Sequence, residues 1–338
     1  MKLAYIILAY KDVKQVSRLI NRLRTEGSSF VVHVCKNTHD SYIEELKTLQ
    51  NGHSDVYFCK REQGIHFYFG LVKGTLNALA FLYENNIDYD YVSLISGQDY
   101  PLRTNEEIKQ FFIENKGKEF LSCWPLFPDK KSPYFDKHPW GASRQLYRID
   151  RFNIKFCGKV NPIPEIETRR LIDHNLWSTV KIFLHHAAEY RKKGSFKREL
   201  LLLFYSRILP NKRALPNFEL YGGSTWWTIT RQFSEHILAT NKKDKKFNNF
   251  YRYTLIPDEM YFQTHAMNSS FKDAVADNNL RKIIWNPEDL THPVIFKQND
   301  FGELINSPAI FARKFEVKES SEILDSLDRY LDSTKQVA

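Results

Sequence analysis

The chain has 338 residues, with 49 Lys plus Arg against 40 Asp plus Glu, a formal charge of +9. With 42% hydrophobic and 14% aromatic residues it can bury a large core, which excludes wholesale disorder, and 13 Gly and 13 Pro exclude a collagen-like chain. No apolar run approaches the roughly 20 residues that a membrane helix needs.

Leu3–Tyr10 (LAYIILAY) is short, apolar and reads as a buried strand. Residues 11–26 follow with helical spacing of Val13, Val16, Leu19, Ile20 and Leu23. Strands are predicted at 30–35, 56–59, 91–96 and 120–124, and helices at 41–49 and 70–85. Continuous apolar strands alternating with helices predict an α/β fold with a mostly parallel sheet and helices on both faces. Such sheets bind ligands at the carboxyl ends of their strands. Residues 125–175, rich in Pro, aromatics and charge, read as irregular loops, and 176–210 as basic helix. Residues 222–229 read as a turn entering a strand, and 230–240 as a helix capped by Thr230. A helix is expected at 257–267, with Pro257 at its start and Asp258 and Glu259 in its first turn. Another is expected at 320–331, capped by Ser320 or Ser321.

No GxGxxG, GxxxxGKS, GxSxG or HExxH occurs. His185 and His186 are adjacent, so they leave a helix on different sides and make a poor metal pair. Asp88-Tyr89-Asp90 enters a strand rather than leaving one, the wrong end for a ligand, and reads as a solvated turn. Three other segments carry more. Asp99, in SGQDYP just past a strand, is either an acceptor for a sugar or base or an Asx turn before proline. Glu259, in PDE, is either dipole compensation or a general base. Arg313 and Lys314, between Phe311 and Phe315, are either solvated charges or a diphosphate clamp.

The order of AYIILAY (4–10), HVCKN (33–37), LVKGTLNAL (71–79), LISGQDYPLRTNEEI (94–108), GGSTWW (222–227), PDEMYFQT (257–264), DNNLRKIIW (277–285) and FARKFE (311–316) resembles the core-2/I-branching glycosyltransferase family. That family holds branching β1,6-N-acetylglucosaminyltransferases and peptide O-xylosyltransferases, and DNNLR, Trp285 and FARKF look closer to the latter. The resemblance implies a GT-A-like fold and an inverting, metal-independent transfer from a UDP-sugar, with no cofactor and no metal site. It implies Glu259 as the base. Donor-binding positions fall at Ala9, Tyr10, His33, Gln98, Asp99, Arg313 and Lys314, and sugar or acceptor positions at Trp226, Asp258 and Trp285. A second diphosphate-binding cation of the branching enzymes falls in register near Thr291, where this chain has none, and Arg313 is the expected replacement. The implied organisation is a nucleotide-sugar half at 1–125, a variable loop and basic helical insertion at 126–215, and an acceptor and catalytic half at 216–338.

Two positions depart from the family pattern. Cys35 stands where an Asp is usual, and 65–70 reads IHFYFG in place of a Trp-rich segment. Cys35, Cys59, Cys123 and Cys157 form no CxxC pair, and Lys11-Asp12 follow the apolar start with no cleavage site. A reduced, cytoplasmic enzyme of bacterial type is therefore expected, working on a glycan or lipid-linked glycan. The cations of 183–213 suit peripheral contact with an anionic membrane, and no nucleic-acid motif accompanies them. The competing expectations are the same fold with another nucleotide sugar, or a nucleotide- or glycan-binding protein that has lost catalysis.

Overall fold

Seven consecutive buried residues make β1 (Leu3–Ala9), the central strand of the computed structural model. It describes residues 1–50, 53–63, 68–163, 176–210, 212–286 and 292–334. Residues 65–67 of the departing segment, the register position Thr291 and the His186 side chain lie outside the described residues.

After β1 come α1 (Val13–Leu23), β2 (Ser28–Val34), α2 (Ser41–Leu49) and β3 (Val56–Phe58). The next elements are α3 (Gly70–Glu84), β4 (Tyr91–Ser96), β5 (Tyr100–Pro101), α4 (Asn105–Glu114) and β6 (Phe120–Leu121). The main sheet has the order β3-β2-β1-β4-β11-β6, where β11 is Trp227–Thr230. β1 pairs parallel with β2 and with β4, and β2 parallel with β3. β11 pairs antiparallel with both β4 and β6. The mostly parallel α/β expectation is met, and the strands are buried because helices cover both faces. α1 and the terminal helix pack into one apolar cluster, and α3 and the helix after β11 into the other.

Several boundaries differ from expectation. The predicted strand 120–124 splits into β6 and β7 (Trp124–Pro125). The expected loop 125–175 contains an antiparallel hairpin, β8 (Phe152–Phe156) and β9 (Lys159–Ile163). Cys157 and Gly158 turn it with φ of 51° and 75°, the left-handed pair that a two-residue hairpin turn requires. The basic helix is two helices, α5 (Leu176–Lys192) and α6 (Phe196–Ile208). After β10 (Tyr221–Gly222) and β11 come α7 (Arg231–Lys243), which Thr230 caps by accepting from the Phe233 amide, and α8 (Lys245–Arg252). The helix expected at 257–267 is a 3-10 turn, Pro257–Glu259, then α9 (Tyr261–Met267). The last elements are β12 (Arg281–Ile283), α10 (Phe301–Ile305), β13 (Phe311–Arg313) and α11 (Val317–Thr334). α11 starts three residues before Ser320, so neither predicted serine is its cap; the Ser320 hydroxyl instead donates to the Phe296 carbonyl at 2.7 Å.

Candidate active site

The chain runs outward from β1 to β3 and then returns to β4 on the other side of β1. The strand order therefore reverses between β1 and β4, and ligands of open α/β sheets bind outside the carboxyl ends at such a point. Ala9 and Tyr10 leave β1 there, and Ser96–Asp99 leaves β4. β13 pairs antiparallel with β5, setting Ala312 opposite Tyr100 and delivering Arg313 beside the same turn.

Asp99 is fully buried. Its Oδ2 accepts from the Ser96 amide at 2.8 Å and the Ser96 hydroxyl at 2.5 Å, and takes Arg313 Nη1 at 3.2 Å. The carboxylate therefore closes its own turn and holds a cation. Tyr10 is 53% exposed, with its hydroxyl 3.4 Å from Gln98 Oε1. Ala9 is buried, and its carbonyl accepts from the Cys35 amide at 3.0 Å. His33 is buried against Gly74 of α3, and its Nε2 accepts from the Glu62 amide at 2.9 Å. Burial holds its pKa down at about 4, so the ring is neutral and acts on the Glu62 backbone.

Lys314 Nζ lies 2.7 Å from Glu316 Oε1, which also takes Lys11 Nζ at 3.0 Å and Gln98 Nε2 at 3.0 Å. Burial works to raise the Glu316 carboxyl, but the hydrogen bonds and charges of Lys314 and Lys11 outweigh it and hold the pKa at about 2. Lys11 was not singled out by the sequence; its only signal is its place just past β1. Gln15 of α1 binds the segments together, donating to the Gly97 and Phe315 carbonyls at 2.9 and 3.0 Å and accepting from the Val317 amide.

The second half of the site is built on the 257–259 turn. The Gly223 amide donates to the Glu259 carbonyl at 2.8 Å, the Thr225 hydroxyl to Asp258 Oδ2 at 2.8 Å, and Gln263 Nε2 to the Ser224 carbonyl at 2.6 Å. Gly223 must be glycine, because a Cβ there would meet the Ser122 carbonyl oxygen at 1.8 Å. The Glu259 side chain keeps 26% exposure, and its Oε2 accepts from Arg148 Nη1 at 2.6 Å. Burial raises the Glu259 pKa above its ordinary value; Asp258 adds to this and Arg148 opposes it. Trp226 joins the two halves. Its neighbours strap the 258–259 turn, and its ring lies 4.2 Å from the Arg313 guanidinium. Arg313 has its pKa lowered by burial, against the pull of Asp99. Trp285 stands apart from these contacts, 46% exposed beyond β12, with its backbone bridged to Pro293.

Asp88, at the opposite end of β4, is paired with Lys2 at 2.7 Å and Arg231 at 3.0 Å. Its triplet is an ion-paired turn rather than a merely solvated one. Among the described residues no group of three or more His, Cys, Asp or Glu could hold a metal ion, and no helix is long and apolar enough to cross a membrane.

The model of the Core-2/I-Branching enzyme family matches residues 3–126 and 163–305. The match extends into 163–215, where the sequence motifs found none, and stops before Arg313 and Lys314. Xylosyltransferase 2 of Rattus norvegicus is 26% identical over 352 residues, covering 98% of this chain and 34% of that protein. Xylosyltransferase 2 of Homo sapiens is 26% identical over 351 residues, with the same coverage. Xylosyltransferase 1 of Homo sapiens is 24% identical over 350 residues, covering 98% of this chain and 30% of that protein. The chain thus spans about a third of the length of these relatives.

Proposed function

The chain belongs to the Core-2/I-branching enzyme family, and on that premise we propose that it is an inverting glycosyltransferase. It moves xylose or N-acetylglucosamine from a UDP-sugar to a hydroxyl of a glycan or lipid-linked glycan. The observation that carries this reading is the 223–226 strap: one short segment fixes the turn bearing Glu259 and stacks Trp226 on Arg313. The carboxylate-bearing turn, the Trp226 ring and the Arg313 cation are thus tied to one segment.

The chemistry follows from these groups. Inversion needs a single base on the face of the anomeric carbon away from the leaving group. Glu259 takes the acceptor proton as that oxygen bonds to C1, a contribution of about 10²–10⁴ in rate. The bond from C1 to the diphosphate oxygen breaks, and the charge that develops falls to Arg313 and Lys314, with Lys11 beside them. Trp226, already committed to Arg313 on one face, offers apolar surface to a pyranose. Fixed cations in these positions make a divalent metal dispensable, and UDP binding is expected to survive EDTA.

We place the enzyme in bacterial surface-glycan assembly, on the cytoplasmic side of a membrane. α6 supports the membrane contact: Leu200, Phe204 and Ile208 are exposed at successive i, i+4 positions, with Lys192, Lys193 and Lys197 exposed nearby. Two cations of the same stretch are engaged elsewhere. Arg213 is buried on Phe250 at 4.0 Å, and Arg198 is bound to Asn161 and Glu199. The test of the donor assignment is a thermal-shift screen against nucleotide sugars in EDTA. A ligand that binds the folded state raises the melting temperature by mass action. Stabilisation by UDP and one UDP-sugar supports the reading; indifference to every nucleotide contradicts it.

A further inference from the structure

Arg148 lies in residues 127–162, the stretch between the two parts of the chain that the family model matches. Its side chain is 7% exposed and its guanidinium sits 4.2 Å from the centre of the Trp140 ring, in the same stretch. Trp140 is itself seated against Gly222, where a Cβ would come within 2.5 Å of the ring. The Arg148 backbone is fixed too, its carbonyl accepting from the Leu255 amide at 2.9 Å and from Asn153 Nδ2 at 3.3 Å. Among the described residues, Glu259 is the carboxylate that pairs with it.

We infer that Arg148, from the stretch that the family model leaves unmatched, is a positioning residue that holds the Glu259 side chain in place and keeps it a carboxylate. The inference rests on the reading of Glu259 as the base. A carboxyl that is largely desolvated favours its neutral form, and a neutral Glu259 cannot accept a proton. A guanidinium at 2.6 Å favours the charged form and limits that rise. The other charged groups near the turn do not do this. Asp258, on the same turn, opposes ionisation. α3, which packs on the turn, brings Lys73, already paired with Glu62 at 3.6 Å. α9 brings His265, which burial keeps neutral with a pKa near 3. Residues 222–226 carry no charge.

The test reads the Glu259 carboxyl itself. In protein labelled with ¹³C at glutamate Cδ, the signal missing from Glu259→Gln identifies the residue, and its titration midpoint is followed by NMR. In Arg148→Gln and Arg148→Met the midpoint is expected to rise by about 1–3 pH units, and in Arg148→Lys to return close to the wild-type position. An unmoved midpoint in a folded neutral variant overturns the inference. So does a pair of neutral variants that cannot fold while Arg148→Lys can, which assigns Arg148 to anchoring residues 127–162 alone. UDP release from UDP-xylose and UDP-N-acetylglucosamine, compared between wild type and Glu259→Gln, tests the base reading separately. Its failure leaves the titration result standing.

Discussion

Glu259 feels opposed influences, burial and Asp258 raising its pKa and Arg148 lowering it, with the rise prevailing. The base works only when ionised. Turnover should therefore fall as pH is lowered through a midpoint above the ordinary carboxylate range, and level off on the alkaline side. A pH–rate profile checks this, and a midpoint at or below about 4.3, the unperturbed value, contradicts it. On the donor side, Arg313→Ala and Lys314→Ala should each weaken UDP binding measured by calorimetry, and Lys11→Ala should do so as well. Unchanged affinity in all three removes the clamp. Glu259, Arg313 and Lys314 stand out in the sequence as candidates, each with a bland alternative that its local pattern leaves open, and the roles proposed for them follow from the family resemblance. Arg148, Lys11 and Glu316 were not, because their significance lies in pairings between distant parts of the chain that no spacing reveals. Asp99 was half legible: both an Asx turn and a polar site were foreseen, and the turn closure is what the fold uses, with Arg313 held on the same oxygen.

At the scale of elements, strands buried on both faces announced themselves, since β1, β2 and β4 are continuous apolar runs that no other arrangement hides. The β8–β9 hairpin did not. Its strands mix Lys, Asn and Pro with apolar residues, and the one available signal was Cys157-Gly158 between two short runs. α4 carries a clearer signal, the Thr104–Glu107 capping box. Gln15 shows what joins elements near the site. Gln15→Leu should strand two buried carbonyls, and cost about 1–3 kcal/mol for each group left unpaired, read by denaturant unfolding. A cost within error of zero contradicts this. On α6, Leu200→Asp with Phe204→Asp should abolish sedimentation with anionic vesicles while leaving UDP binding intact. Retained sedimentation removes the membrane-contact proposal.

Taken whole, the molecule holds a buried carboxyl whose linkage to stability has a definite sign. Glu119 is buried where α7 begins, accepting from the Thr230 amide at 2.8 Å and its hydroxyl at 2.5 Å. Burial raises its pKa to about 7, against both hydrogen bonds from Thr230. The folded chain thus holds a proton that the unfolded chain has released, and this group's contribution is lost as pH rises from about 4.5 to about 7. Glu119→Gln removes that loss, so its melting temperature should improve relative to wild type between pH 5 and pH 8. A pH-independent difference contradicts the assignment. Family and sheet architecture were legible at this scale because apolar strands alternate with helices and motifs recur in order on either side of about 110–215, whereas the pairing of Arg148 with Glu259 emerged only from the folded contacts. Under the proposed function, Glu259 deprotonates the acceptor in a transfer from a UDP-sugar. The measurement that tests it most directly is UDP release from UDP-xylose and UDP-N-acetylglucosamine, in EDTA, by wild type and Glu259→Gln, with UDP affinity measured alongside. Release by the wild type is expected, with a fall of about 10²–10⁴ in the variant at unchanged UDP affinity. A variant as active as the wild type would contradict it.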